Sequence, residues 1–400
     1  MDFEAWWWLV LPLFFGLGWL ARSSDARRQI KETQELPKSY FKGLNHLLNE
    51  EPDQAIDALI DVARVDTGTI DLYFALGNLF TTRGEIERAI RVYQSLLDRP
   101  DLPDDSREAA MSKLGTAFLN GGLFDRAEAT FKALLDDPKA STMRAHAQAQ
   151  LLHIYQSQQE WQQAIGVART MNRAVEQTIA LSHFHCELAI EAMARQDYLM
   201  AEGELDAALE LRPSSIRGFV LRGRWYSAQG RVSEGLAVWL GLAKSQPAAV
   251  PLLVSDVMSA YESLGTPQQG LHFLYEELMS TGSVDVLNTW LTAHAKHGQA
   301  PELLPQLSAV FAAHPSLNAL DKLLSQRLSD DASSEAARED ALIQQLIKKQ
   351  VQQLSKYRCA HCGFEAARYY WQCPACSRWE SYPPKRLEEL NKRERSRVQM

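Results

Sequence analysis

Small and large apolar residues recur through the middle of the chain with a period near 34, which predicts pairs of short amphipathic helices. A small residue opens the second helix of each pair: Ala55, Ala89, Ala127, Ala164, Ala201, Gly235 and Gly270 follow at intervals of 34, 38, 37, 37, 34 and 35. Twelve positions upstream stand Gly43, Gly77, Gly115, Leu152, Ala189, Gly223 and Met258, the last a poor fit to a small-residue position. Four positions after the anchor comes a large side chain at Leu59, Tyr93, Phe131, Leu205, Trp239 and Leu274, with Ala168 the exception. Arg83-Gly84-Glu85, Gly121-Gly122-Leu123 and Gln229-Gly230-Arg231 mark turns, and Pro213 and Pro247 close two units where a helix has to stop.

Two antiparallel helices that approach through Gly or Ala, with a large ring in the groove beside the crossing, form the pattern of the tetratricopeptide repeat. Seven units run from about Ser39 to Ser280, and a degenerate eighth from Val284 to His314 turns at Gly298. One unit alone cannot bury its apolar face, so the units stack into a superhelical solenoid and the expected fold class is all-α. The repeats carry no nucleophile motif, which points to partner binding rather than catalysis. His183 and His185, two positions apart, face different sides of a helix and are not read as metal ligands. Cys186 reads as a small buried hydrophobe, and the stretch Asp98 to Asp105 as a solvated loop.

Ahead of the repeats, Ala5 to Ala21 are seventeen positions without a charge, about 26 Å as a helix. Asp2 and Glu4 precede this run and Arg22, Arg27, Arg28 and Lys31 follow it, the reverse of a secretory signal and the charge bias of a single span with its C-terminal side in the cytoplasm. Trp6, Trp7, Trp8 and Trp19 lie near its two ends, where indoles favour the headgroup level. A buried core helix is the competing reading.

Behind the repeats, Ser329 to Asp340 turns polar and predicts a hinge, followed by an amphipathic helix on Ile343, Leu346, Ile347, Val351 and Leu354. Two CxxC pairs then appear, Cys359–Cys362 and Cys373–Cys376, which can place four thiolates at the corners of one tetrahedron. The donor set suits zinc or a single iron, and a closed shell favours a structural metal ion over a catalytic one. A redox-active CxxC dithiol is the competing reading. With only five cysteines, four of them clustered, a disulfide framework is excluded and a reducing compartment is implied. Phe364, Tyr369, Tyr370, Trp371, Trp379 and Tyr382 crowd the knuckle, whose thirty or so residues need metal and rings to hold a fold.

Charge adds one distinction. The chain is −8 overall, yet residues 356–400 hold ten Lys/Arg against five Asp/Glu, a local +5 that leaves −13 on residues 1–355. Nucleic acid is therefore not an expected partner of the bulk of the chain. The basic tail from Lys385 to Arg397 reads as a solvated helical end, with anionic lipid or RNA as other contacts. A membrane-tethered RNA-binding or translation-linked scaffold, resting on Lys385, Arg386, Lys392 and Arg393, is the alternative function.

The order of anchor, repeats and four-cysteine knuckle resembles the lipopolysaccharide assembly protein B family of Gram-negative bacteria. Its more specific stretches here are Asp66-Thr67-Gly68-Thr69, Gly77-Asn78-Leu79-Phe80 through Arg91, Gly122-Leu123-Phe124-Asp125-Arg126-Ala127-Glu128, and Arg358-Cys359 through Trp371-Gln372-Cys373-Pro374-Ala375-Cys376. The resemblance implies a rubredoxin-like module docked on the repeats, with Cys359, Cys362, Cys373 and Cys376 binding one iron or zinc. It also implies a non-enzymatic inner-membrane adaptor that promotes degradation of the lipid A pathway deacetylase by the membrane-anchored ATP-dependent protease FtsH. Other lipopolysaccharide assembly proteins and inner-membrane lipid are further expected partners, and homodimerisation is left open. The expected division is an anchor over 1–22, a linker over 23–38, repeats over 39–328, a linker and helix over 329–355, the metal module over 356–382 and a basic tail over 383–400.

Overall fold

The computed structural model describes residues 54, 70–138, 142–171, 175–330 and 335–390; the apolar run and nearly all of the first repeat lie outside the described residues. The described helices are α1 (Ile70–Thr82), α2 (Ile86–Leu97), α3 (Asp104–Asn120), α4 (Phe124–Asp136) and α5 (Arg144–Gln158), then α6 (Trp161–Thr170), α7 (Val175–Ala194), α8 (Tyr198–Leu211), α9 (Ile216–Ala228) and α10 (Val232–Ser245). A 3₁₀ turn (Pro247–Leu252) leads to α11 (Val254–Ser263), α12 (Pro267–Thr281), α13 (Val284–His297), α14 (Ala300–Ala313), α15 (Leu317–Asp330) and α16 (Glu335–Leu354). Strands β1 (Tyr357–Arg358) and β2 (Glu365–Ala366) pair antiparallel at the C-terminal end. The fold is an all-α tetratricopeptide array followed by a small cysteine-rich module. It divides into two compact units, one up to Gln159 and one from Glu160 onward. Among the described residues no helix is long and apolar enough to cross a membrane.

Close approach at the helix crossings explains the small-residue register. A Cβ on Gly77 would fall 2.3 Å from the Tyr93 ring, one on Gly115 2.7 Å from Phe131, and one on Gly223 2.3 Å from Trp239. Each ring occupies the space the glycine leaves, and Tyr93, Phe131 and Trp239 are all buried. At Met258 the close contact is with the small anchor of the second helix: a Cβ on Gly270 would lie 2.7 Å from Met258 Sδ. Leu274, four positions after Gly270, is buried as in the other units, and Met258 fills the space beside the glycine.

The turns reuse one device. In Gly84, Gly122, Gly230 and Gly265 the backbone turns left-handed at the helix end, at φ of 77, 72, 78 and 72°, the conformation glycine adopts without strain. Each time the next amide bonds five residues back, as in Glu85 N to Phe80 O at 2.9 Å and Leu123 N to Phe118 O at 2.9 Å. Gln196 takes the same conformation at φ 61°, and Asp197 then caps α8 by accepting from Met200 N at 3.0 Å.

Two expectations for the C-terminal part need correction. The polar stretch 329–340 is not a hinge throughout: α15 continues to Asp330 and α16 begins at Glu335, leaving 331–334 outside the described residues. Ala, Glu and Arg are strong helix formers, so the polarity there marks a solvated helix face. Residues 385–390 likewise form no solvated helical end; they are non-helical and none is exposed.

Two glycines of the second unit differ in the space around them. Gly223→Ala is expected to cost about 1–3 kcal/mol by overpacking against Trp239. Gly166→Ala, in α6 with open space around it, should be neutral or stabilising by up to about 1 kcal/mol. Urea unfolding followed by circular dichroism reads both.

Candidate metal centre and its docking on the repeats

Two knuckles of matched geometry build the metal centre. In the first, Cys359 N bonds Phe364 O at 2.9 Å and Gly363 N bonds Cys359 O at 3.0 Å; in the second, Cys373 N bonds Arg378 O at 2.9 Å and Ser377 N bonds Cys373 O at 2.8 Å. Gly363 and Ser377 hold the same place in each, both left-handed at φ 76 and 56°. These tight turns aim the paired sulfurs at a common point. The four Sγ atoms lie within 4.8 Å of one another, with Cys359 to Cys376 at 3.8 Å and Cys362 to Cys373 at 3.6 Å. A tetrahedral metal with metal–sulfur bonds of about 2.3 Å requires sulfur separations near 3.8 Å, so the donor set fits one structural ion.

The thiols support that fit. Burial pushes Cys359 up, but the Ser381 hydroxyl and the backbone amides of Cys362 and His361 outweigh it and hold the thiol down at about 6. Burial and the neighbouring sulfurs push Cys376 up to about 12. Four adjacent thiols resist ionising together until a cation neutralises them. His361 is exposed and accepts from Arg378 Nη1 at 3.3 Å through its Nδ1, away from the sulfur cluster's coordination.

The second knuckle also carries the contact with the repeats. Directly after Cys376, the Trp379 indole stacks on His183 of α7 at 4.5 Å and 13°, and meets Trp161 of α6 and Phe184 edge-on at 6.4 and 6.0 Å. Arg217 of α9 sits over the rings of Trp371 and Trp379 at 5.8 and 5.7 Å while its Nη2 bonds Glu187 at 2.8 Å. Glu380 Oε1 then receives Arg212 Nη1 at 2.5 Å and His183 Nε2 at 3.1 Å. Burial raises the Glu380 carboxyl, but these two partners overcome it and hold the group down at about 2. His183, 1% exposed, is pushed down by burial, against the pull of Glu380. His185 bonds Glu204 at 2.6 Å, and neither histidine belongs to a metal cluster among the described residues. Cys186 is fully buried and pushed up to about 12, inert as expected.

A second contact comes from the segment assigned to the basic tail. Arg386 Nε and Nη2 bond Asp285 Oδ1 at 3.0 and 2.5 Å, its guanidinium lies 4.6 Å from the Tyr357 ring centroid, and Tyr357 Oη donates to Asp285 Oδ2 at 2.5 Å. Its acidic neighbours cap helices of the array. Glu389 Oε1 accepts from Val284 N at 2.8 Å at the start of α13, and Glu388 accepts from Leu317 N, Asn318 N and Asn318 Nδ2 at the start of α15. Leu387 N to Lys356 O at 2.8 Å and Glu388 N to Leu354 O at 3.2 Å tie the strap to the end of α16.

Sequence reasoning found the four cysteines and missed His183, Arg212, Arg217, Asp285, Glu380, Glu388 and Glu389 as docking residues. One signal was available: two adjacent acids inside a basic tail are suited to helix N-termini.

Comparison with known proteins agrees with this anatomy. A family model described as rubredoxin metal binding domain matches residues 357–383, and one described as tetratricopeptide repeat matches residues 74–142. Lipopolysaccharide assembly protein B of Escherichia coli is 30% identical over 380 residues, covering 94% of this chain and 97% of that protein. The protein of the same name from Haemophilus influenzae is 25% identical over 398 residues, covering 96% and 98%. Among solved structures, a tetratricopeptide repeat protein from Parabacteroides merdae aligns with 65% of this chain and 98% of its own, at 14% identity and a TM-score of 0.32.

The strap has a pH signature. Burial raises Glu389 to about 7, with Asp285 adding to the rise and the Val284 amide opposing it. A carboxyl whose folded pKa lies above its unfolded value contributes stability below about pH 4.5 that is lost as pH rises towards 7. Glu389→Gln keeps an acceptor for Val284 and removes the charge beside Asp285. It is expected to stabilise the chain by about 1–2 kcal/mol at pH 8 and by almost nothing at pH 4, read by urea unfolding at both.

Proposed function

The chain belongs to the lipopolysaccharide assembly protein B family, and from that premise we propose that it is a non-catalytic inner-membrane adaptor. It promotes degradation of the lipid A pathway deacetylase by the membrane-anchored protease FtsH, and so limits flux into lipopolysaccharide. The repeats supply the partner-binding surface, and the apolar run Ala5–Ala21 holds that surface in the plane where a membrane protease works, with the bulk of the chain on the cytoplasmic side and the N-terminus in the periplasm. Confinement raises the effective concentration of a captured substrate without adding a contact. Residues 1–22 act as anchor, 23–38 as linker, and the repeats begin near Ser39.

The observation that carries the adaptor reading is the inward use of the metal module. Cys359, Cys362, Cys373 and Cys376 would hold one zinc or iron in a closed all-sulfur shell, and the ion would fix the chain that follows Cys376. Trp379 and Glu380, in that chain, meet the array. A site built this way stabilises a surface and leaves no coordination position for substrate. The alternative of a nucleic-acid scaffold is weakened at Arg386, whose guanidinium is engaged by Asp285.

Cys359→Ser combined with Cys362→Ser is expected to reduce bound metal from about one ion per chain to none by elemental analysis, and to make residues 356–382 protease-sensitive while the helices persist. Unchanged metal content would refute the ligand assignment. Depletion of the chain in its native cell should lengthen the half-life of the deacetylase in a pulse-chase immunoblot, and restoring a form without residues 1–22 should leave it long. Unchanged turnover on depletion would remove the proteolysis mechanism; full rescue by the truncated form would remove the membrane from it.

A further inference from the structure

Three of the seven large hydrophobic side chains exposed among the described residues sit together on α16: Leu342, Ile343 and Leu346, at 63, 44 and 78% exposure. The other side of this helix packs on α15, where Gln344 Nε2 bonds Asp321 Oδ1 at 3.1 Å and Ser325 Oγ at 2.6 Å, and Asp340 lies 3.8 Å from Arg327. Ala337 and Val351 are buried on that side, which fixes the rotation of α16. Its outward face then carries Glu339, Leu342, Leu346, Lys349 and Gln353, all exposed. They follow at intervals of three, four, three and four, the a and d spacing of a two-stranded coiled coil. Nothing among the described residues covers this seam.

The order of charges along the seam selects what fits it. Leu342 and Leu346 lie two residues to either side of Gln344, and Glu339 and Lys349 lie five residues to either side with opposite charge. Five residues of helix are about 7.5 Å. A twofold axis at the level of Gln344 sets a second α16 antiparallel to the first, with Leu342 against Leu346 and Glu339 against Lys349 in successive a–d layers. Each of these pairs occurs twice, once on either side of the axis. On the flanks Ile343 meets Ile343 of the second copy, and Arg338 falls beside Gln352 rather than beside a like charge. A parallel pair would bring Glu339 against Glu339 and Lys349 against Lys349. A surface of one sign would match only one end of the seam.

We propose that the outward face of α16 is a homodimer interface, in which two copies of the chain pair antiparallel about a twofold axis at the level of Gln344. Three apolar side chains per copy make a contact well below the size of stable interfaces, so the association is weak and depends on local concentration. The same face is used by both copies, so assembly closes at two. The pairing does not depend on the adaptor role; its consequence is that one assembly presents two repeat surfaces, which raises avidity for a partner with two contacts.

The test follows the full chain in detergent micelles by sedimentation velocity, with amide hydrogen exchange read over residues 338–350. Between about 1 and about 100 µM the mass should rise from one chain towards two, while exchange over that segment slows about threefold. Glu339→Lys or Lys349→Glu alone puts like charges into both symmetric contacts, and should raise the dissociation constant about tenfold at low salt and less at about 1 M. The two substitutions together restore opposite charges and should return the constant to within about twofold of its starting value. Leu342→Ser with Leu346→Ser should leave a monomer whose helical circular dichroism is unchanged. A chain that stays monomeric across the concentration range overturns the proposal. Association that persists in the leucine variant also overturns it, in favour of another surface. Failure of the double charge variant to recover overturns the antiparallel pairing, and with it the proposal.

Discussion

A carboxylate taken out of water has to be met by positive charge, and Glu380 meets it on the array rather than within its own module. Arg212 and His183 come from the repeats, and they hold an acid near pKa 2 that burial alone would have raised. Removing either side would strand a partly buried charge, so the arrangement favours one relative placement of module and repeats. The Trp379 ring beside it adds apolar contact with Trp161, Phe184 and His183. Charge specifies the register of the joint, while ring burial supplies much of its attraction.

The strap places its acids at helix ends instead, and there burial raises Glu389 to about 7. The start of a helix leaves amide donors unpaired, and the starts of α13 and α15 receive carboxylates from Glu389 and Glu388, far along the chain. Arg386 closes the set on Asp285, in the first turn of α13. Metal centre, ring clamp and strap therefore all converge on helices of the second unit, and an ion held by the four cysteines would keep the chain between Cys376 and Glu380 in shape. A closed metal site can in this way influence a binding surface without touching what binds there.

How much of this was legible in the sequence varies with the range of the interaction. The repeat register could be read because each glycine and its aromatic filler lie sixteen residues apart, as with Gly77 and Tyr93, within one unit. The cysteine centre could be read because both pairs have a short, chemically demanding spacing. The joint was not, because its partners are 197 residues apart for His183 and Glu380 and 101 for Asp285 and Arg386. Residues such as Arg212, Arg217 and Asp285 have the composition of any solvated helix face. The helical start of α16 is masked in the sequence by its polarity, although Glu, Ala and Arg are strong helix formers.

The most direct measurement of the account is a double-mutant cycle between Glu380 and Arg212 in the metal-loaded full chain, using Glu380→Ala, Arg212→Ala and the pair together in urea unfolding. A joint that positions the module through this buried pair predicts a coupling energy of at least about 1 kcal/mol, with the double variant losing less than the two singles added. Additive losses would contradict it, and would mean that the metal module rests on the repeats without being fixed by them.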